Sequence, residues 1–149
     1  MSRSFIVTTN QDKNLNVKDL MDNLKDLITF NTTDLKIVHN GNNIYPNSFD
    51  KVSLNTEFTV LAIDDEYIYI TYHGKSIIED NKFHWYIESR ALEGRGRRLF
   101  VASACVIANL TDGLVDSADG AWHNPDVYHG SELWNDYLNF ELNNPDWYN

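Results

Sequence analysis

The chain has 149 residues, of which 42% are hydrophobic and 13% aromatic, so it fits one folded domain with a sizeable core and excludes a disordered or linker-dominated protein. The formal net charge is -10, from 22 acids against 12 bases. Such a chain is repelled by nucleic-acid phosphates and anionic lipids and attracted to basic proteins, and it holds no apolar run of membrane-spanning length.

The chain opens with a strand pattern at Ser4–Thr9. Asn16 is placed to cap a helix whose apolar stripe is Val17, Leu20, Met21, Leu24, Leu27 and Ile28. Lys18, Asp19, Asp22, Lys25 and Asp26 give that helix a solvated, charge-mixed opposite face. Leu35–His39 reads as a strand, Asn40–Asn43 as a tight turn, and Pro46–Leu54 as an irregular connection. Glu57–Ile63 and Tyr67–His73 make the clearest hairpin, turning at Asp64–Glu66. If Ile68, Ile70 and Tyr72 face the core, period-2 alternation puts Tyr67, Tyr69 and Thr71 on the other face. A second hairpin fits Lys75–Glu79 and Phe83–Ser89, with its turn at Asp80-Asn81.

From Leu99 to Leu110 almost every residue is apolar or small, which marks a buried helix. Thr111-Asp112-Gly113 stops it, with Gly113 suited to a left-handed cap. A short strand at Leu114-Val115, an Asp119-Gly120 turn and the apolar anchor Trp122 follow. His123–Gly130 reads as a loop, and Ser131 as the cap of a last helix carrying Leu133, Trp134, Tyr137, Leu138 and Leu142 on one side. Strands with a helix before and helices after predict a single α+β domain: a mainly antiparallel sheet on a buried helix, with an N-terminal amphipathic helix and a C-terminal aromatic-rich one.

Candidate chemistry is sparse. Cys105 lies mid-helix among apolar residues and reads as a core thiol. As the lone cysteine it agrees with a reducing compartment, and the first residues carry an apolar run of only three, too short for a secretory signal; we expect a cytoplasmic protein. His123, Asp126 and His129, with Asp119, could gather round a metal, but no metal-ligand spacing marks them and no metal or cofactor is expected. No nucleophile elbow or marked triad is present, which argues against an enzyme. The one basic cluster, Gly94–Arg98, precedes the buried helix. Arg95, Arg97 and Arg98 there could hold a phosphate or carboxylate, which leaves a small enzyme or an anion- or nucleotide-binding domain as an alternative; the simpler reading is an arginine-rich loop that pairs with the protein's own acidic last third.

The acids are distributed unevenly. Residues 1–98 hold 14 acids and 12 bases, and residues 99–149 hold 8 acids and no base. In that last third Asp112, Asp116, Asp119, Asp126, Glu132 and Asp136 are interleaved with Trp122, Tyr128 and Trp134. Aromatic anchors within an acid rim suit a basic protein partner, with rings supplying contact area and acids supplying steering. Direct binding of nucleic acid or membrane is not expected, and 22 acids offset by 12 bases are moderate for a nucleic-acid mimic.

Ala108–Trp122 (ANLTDGLVDSADGAW) and Glu132–Leu138 (ELWNDYL) resemble a layout among small bacterial immunity proteins of polymorphic toxin systems. That layout is a helix of small apolar residues, a short strand ending in a D-x-x-D-G-x-W type turn, and an aromatic-rich final helix. The resemblance implies an inhibitor that binds a cognate toxin domain, often a basic nuclease, and blocks its site.

Overall fold

A computed structural model describes residues 2–75, 81–91, 93–118, 121–122 and 126–144. Strands β1 (Arg3–Thr9), β2 (Lys36–His39), β3 (Asn42–Ile44), β4 (Phe58–Ile63), β5 (Glu66–Lys75), β6 (Phe83–Ser89), β7 (Leu114–Ala118) and β8 (Tyr128–His129) form one sheet in the order β3-β2-β4-β5-β6-β1-β7-β8. Every pairing is antiparallel. The helices are α1 (Val17–Leu24), α2 (Gly94–Thr111) and α3 (Gly130–Asn143). The fold is α+β, as the order of elements predicts.

Alternation along each strand divides the sheet into two unlike faces. The inner face carries Phe5, Val7, Ile37, Leu61, Ile63, Ile68, Ile70, Trp85, Ile87 and Val115, all buried. Helix α2 packs on it, with Phe100 against Phe5 at a ring separation of 4.8 Å. Helices α1 and α3 in turn pack on α2. Covered on all sides, α2 buries Leu99–Ala108 without a break, including the Cys105 side chain.

The boundaries differ from the expected ones for identifiable reasons. Helix α1 has the expected Asn16 cap, doubled by the Asp19 carboxylate accepting from the Asn16 N–H at 3.0 Å, but it gives way to a turn after Leu24. Leu27 and Ile28 continue as bonded turns, and Ile28 still reaches the core. The Pro46–Lys51 part of the expected irregular connection is a 3-10 helix, begun by a proline at its first position. Strand β5 runs on to Lys75 through an irregularity between Tyr72 and Gly74, where Gly74 takes φ +71°. The expected strand at Lys75–Glu79 and Asp80 of its turn fall largely outside the described residues.

Helix α2 begins five residues earlier than the apolar run suggests, so the arginine cluster is its first turn rather than a loop. Gly96 permits this, since a Cβ there would lie 2.8 Å from Cβ of Glu66 at the start of β5. At the other end the left-handed residue is Asp112, at φ 52°, and not Gly113. Gly113 is needed for space, because a Cβ there would meet the Thr8 carbonyl at 2.9 Å. The expected loop before the last helix contains β8, and α3 starts at Gly130, capped from His129 and not Ser131. Glu132 accepts the His129 N–H at 3.0 Å.

Gly130 lets α3 close on α2: a Cβ at that position would sit 2.5 Å from the Cys105 carbonyl oxygen. Gly130→Ala is therefore expected to lower stability by about 1–3 kcal/mol in urea unfolding. Asn135→Ala, on the exposed side of the same helix, stays within about 0.5 kcal/mol.

Candidate functional site

The arginines of the first turn of α2 turn to different partners. Arg95 lies at the surface and donates from Nε and Nη2 to the Asp64 carboxylate at 2.7 and 2.6 Å and from Nη1 to Asp34 at 2.9 Å. This grip holds the Asp64 carboxyl below its usual pKa. Arg97 is 5% exposed, donates to the Ala121 carbonyl, and lies 5.7 and 5.6 Å from the rings of Phe100 and Trp122. Burial lowers its guanidinium to about 10, so it stays charged at neutral pH. Arg98, 7% exposed, donates from Nε and Nη2 to the Leu27 carbonyl at 3.1 and 2.7 Å and pairs with Glu141 at 2.5 Å. The three side chains do not converge on a common anion site.

The aromatic residues of the last third fold over these arginines. Trp122 is 3% exposed and Trp134 9%, and both pack on Tyr137 at 5.7 and 5.3 Å. Trp134 also faces the Arg98 guanidinium at 5.0 Å, a buried cation–π contact. Trp122 Nε1 donates to Asp136 at 2.7 Å, and the half-buried Tyr128 hydroxyl donates to the same oxygen at 3.3 Å. Burial, then the nearby Asp136 charge, pushes the Tyr128 phenol up to about 12. Of the expected anchors, Trp122 and Trp134 thus belong to the interior, and Asp136 holds two rings in place.

Four of the expected acids remain at the surface. Asp112, Asp116, Asp126 and Glu132 are exposed and lie around the edge formed by β7, β8 and the start of α3. Among the described residues no lysine or arginine pairs with Asp112, Asp116 or Glu132. Asp119 lies outside the described residues, as do Gly120, His123 and the tail with Asp146, Trp147 and Tyr148. Of the expected metal group only Asp126 and His129 are described, and among the described residues no three His, Cys, Asp or Glu side chains gather to hold an ion. Burial pushes the Cys105 thiol well above its ordinary pKa, which removes its thiolate. Among the described residues no helix is long and apolar enough to cross a membrane.

Apart from Tyr45, which precedes the Pro46–Lys51 3-10 helix, the exposed large rings among the described residues lie on the outer face of the sheet. Phe58, Tyr67 and Tyr69 are 46%, 49% and 45% exposed. Strand register aligns Phe58, Thr71, Tyr86, Ile6 and Asp116 in one row across β4, β5, β6, β1 and β7. The next row runs Val60, Tyr69, Glu88, Ser4 and Ala118. His73 stacks on Tyr86 at 4.0 Å, with His84 beyond it at 6.5 Å. The sequence pattern indicates the outward tyrosines of β5, but it contains no signal for the pairing that brings Asp116 into their row.

Comparison of the chain with protein-family models, with curated proteins and with solved structures gave no match.

Two outcomes follow from the buried groups. Arg98→Met leaves the Leu27 carbonyl without its side-chain donor and the Glu141 carboxylate with the Tyr137 hydroxyl but no cation. It should cost about 3–5 kcal/mol in denaturant unfolding, and adding Glu141→Gln should recover part of that loss. Tyr72, Tyr128 and Tyr137 all have raised phenol pKa values, each mainly through burial. The unfolded chain then releases these protons first. The contribution to stability is complete below the ordinary phenol pKa of about 10 and is lost as pH rises beyond it. The urea midpoint should therefore fall as pH is raised from below that value to above it, with phenolate absorbance of the native protein appearing late.

Proposed function

We propose that this is an acidic binding protein that neutralises a basic protein partner, an immunity-type inhibitor of a toxin enzyme acting in the cytoplasm. The observation supporting this reading is the fate of the charges around α2. The last arginines of the chain, Arg97 and Arg98, are withdrawn into the interior, and no lysine or arginine follows them. Asp112, Asp116, Asp126 and Glu132 meanwhile stay at the surface of the β7–β8 edge. That edge attracts cations more strongly than the net charge alone implies.

In this reading the acidic edge enters the positive cleft with which a nuclease-type enzyme holds its phosphate-bearing substrate, and competition for that cleft is the mode of inhibition. Asp112, Asp116, Asp119, Asp126, Glu132 and Asp136 supply the field. Asp136 acts from behind Tyr128, and the buried Trp122 and Trp134 stiffen the edge. Preformed charges of this kind act chiefly on the rate of encounter.

The test is affinity capture from the native host, followed by kinetics with the captured protein made recombinantly. A basic enzyme inhibited at one-to-one stoichiometry is expected, with an on-rate that drops by on the order of tenfold or more from low to high salt. Asp116→Lys together with Asp126→Lys should lower that on-rate by a similar factor while leaving the circular dichroism spectrum unchanged. An on-rate indifferent to both salt and charge reversal rules the mechanism out.

A further inference from the structure

At the acidic edge the rings of Trp122 and Trp134 are sealed in the interior, and among the described residues its exposed large apolar side chains are the aliphatic Leu114 and Val127. The outer sheet face has exposed rings. An antiparallel sheet with one solvated face normally turns polar side chains to water. Here that face instead presents Phe58, Tyr67, Tyr69, Tyr86, Ile6 and Leu114 in adjoining rows. A lone exposed ring needs no explanation, but contiguous rows of them mark a contact surface. Tyrosines are efficient anchors, since they offer large area with few rotors to immobilise.

We propose that this outer face is the surface on which the partner docks, and that the docked segment is cationic and apolar, with arginine side chains lying over the tyrosines; this rests on the basic-partner reading above. Charge decides the occupant. Along the outward rows of β5, β6, β1 and β7 the charged residues are Glu88 and Asp116, both acidic, and the β1 positions are Ser4, Ile6 and Thr8. The outward cations Lys36 and Arg90 lie at the margins, on β2 and just past the end of β6. A second copy of the chain would bring Glu88 and Asp116 against like charges, on a protein already at -10. On this face a depression of about 630 Å³ is lined by Tyr67, Tyr69, Glu88, Asp65, Glu66 and Arg90. Phenol faces beside three carboxylates and one guanidinium suit an incoming arginine, which can stack on a ring while pairing with Glu88. Asp116 makes this face continuous with the acidic edge, so the edge steers and the face holds.

The probe is a capped synthetic peptide of alternating arginine and leucine, titrated into the isotope-labelled chain, with an arginine–glycine peptide of equal charge as control. Amide shifts are expected at Ile6, Tyr69, Tyr86, Glu88 and Asp116, and the arginine–leucine peptide should bind about tenfold more tightly than the control. Tyr69→Ser and Glu88→Gln, both at solvent-facing positions, should each weaken it severalfold without altering the rest of the spectrum. Asp26→Asn, at an exposed position just past α1 and behind the sheet, should leave it unchanged. Shifts confined to Asp126–Asp136 would overturn the sheet face as the docking surface while leaving a basic partner in place. Absence of binding by either peptide would overturn both. Concentration-dependent dimerisation that shifts the same amides would assign the face to a second copy and overturn the proposal.

Discussion

The structure depends on the burial of α2 from Gly96 to Ala108. A helix buried on every face over that length must be covered all round, and the sheet can cover only one side of it. Helix α1 and the last third of the chain supply the rest. Because α2 starts at Gly94 and not at Leu99, burial extends to Arg97 and Arg98, and two guanidinium groups must be satisfied inside. Much of the C-terminal architecture follows from that requirement. The Leu27 carbonyl and the Glu141 carboxylate hold Arg98, the Ala121 carbonyl takes Arg97, and the rings of Trp122 and Trp134 lie against the two cations. An unpaired buried charge costs far more than a surface one, so the contacts of Arg98 with Glu141 and Trp134 link α3 to α2 alongside apolar packing.

The same burial shapes the surface. Every base up to Arg98 can in principle offset an acid, but the last two are spent on internal partners, and Arg95 is held by Asp34 and Asp64. The acids Asp112, Asp116, Asp126 and Glu132 that follow stay at the surface, and among the described residues no lysine or arginine pairs with Asp112, Asp116 or Glu132. Core packing and surface charge are therefore linked through one helical turn. Among the described late acids, Glu141 instead pairs with Arg98, and Asp136 holds Trp122 and Tyr128.

How much of this was legible in the sequence depends on the range of the signal. Local patterns were clear: the Asn16 cap with its apolar stripe, the β4–β5 hairpin, the apolar run of α2 and the α+β order of elements. What was hidden depends on distant partners. The arginine cluster looks like a loop because charged residues rarely enter a helix that is buried on all sides, and nothing local shows that Glu141 and Leu27 await them. Gly113 looks like the left-handed cap because glycine tolerates that conformation best, yet Asp112 adopts it and the glycine serves the approach of Thr8. Trp122 and Trp134 look like partner anchors when read beside their acids. Only tertiary packing shows that the acid beside Trp122, Asp136, is its internal hydrogen-bond partner.

The two ends of the sheet bear on how a partner can approach. Strand addition at an edge needs a row of free backbone groups several residues long. Here β3 offers three residues, and β8 offers two before the chain turns into α3. Among the described residues neither end provides such a template. The broad middle of the sheet, five strands from β4 to β7 in the order β4-β5-β6-β1-β7, is paired on both sides and rigid, and its outer side chains are fixed in rows by register. A rigid face that presents rings and two carboxylates at set spacings favours recognition by side chains over recognition by backbone. The helices behind it give that face its stiffness, so the burial of α2 governs both what the protein can offer a partner and where it can offer it.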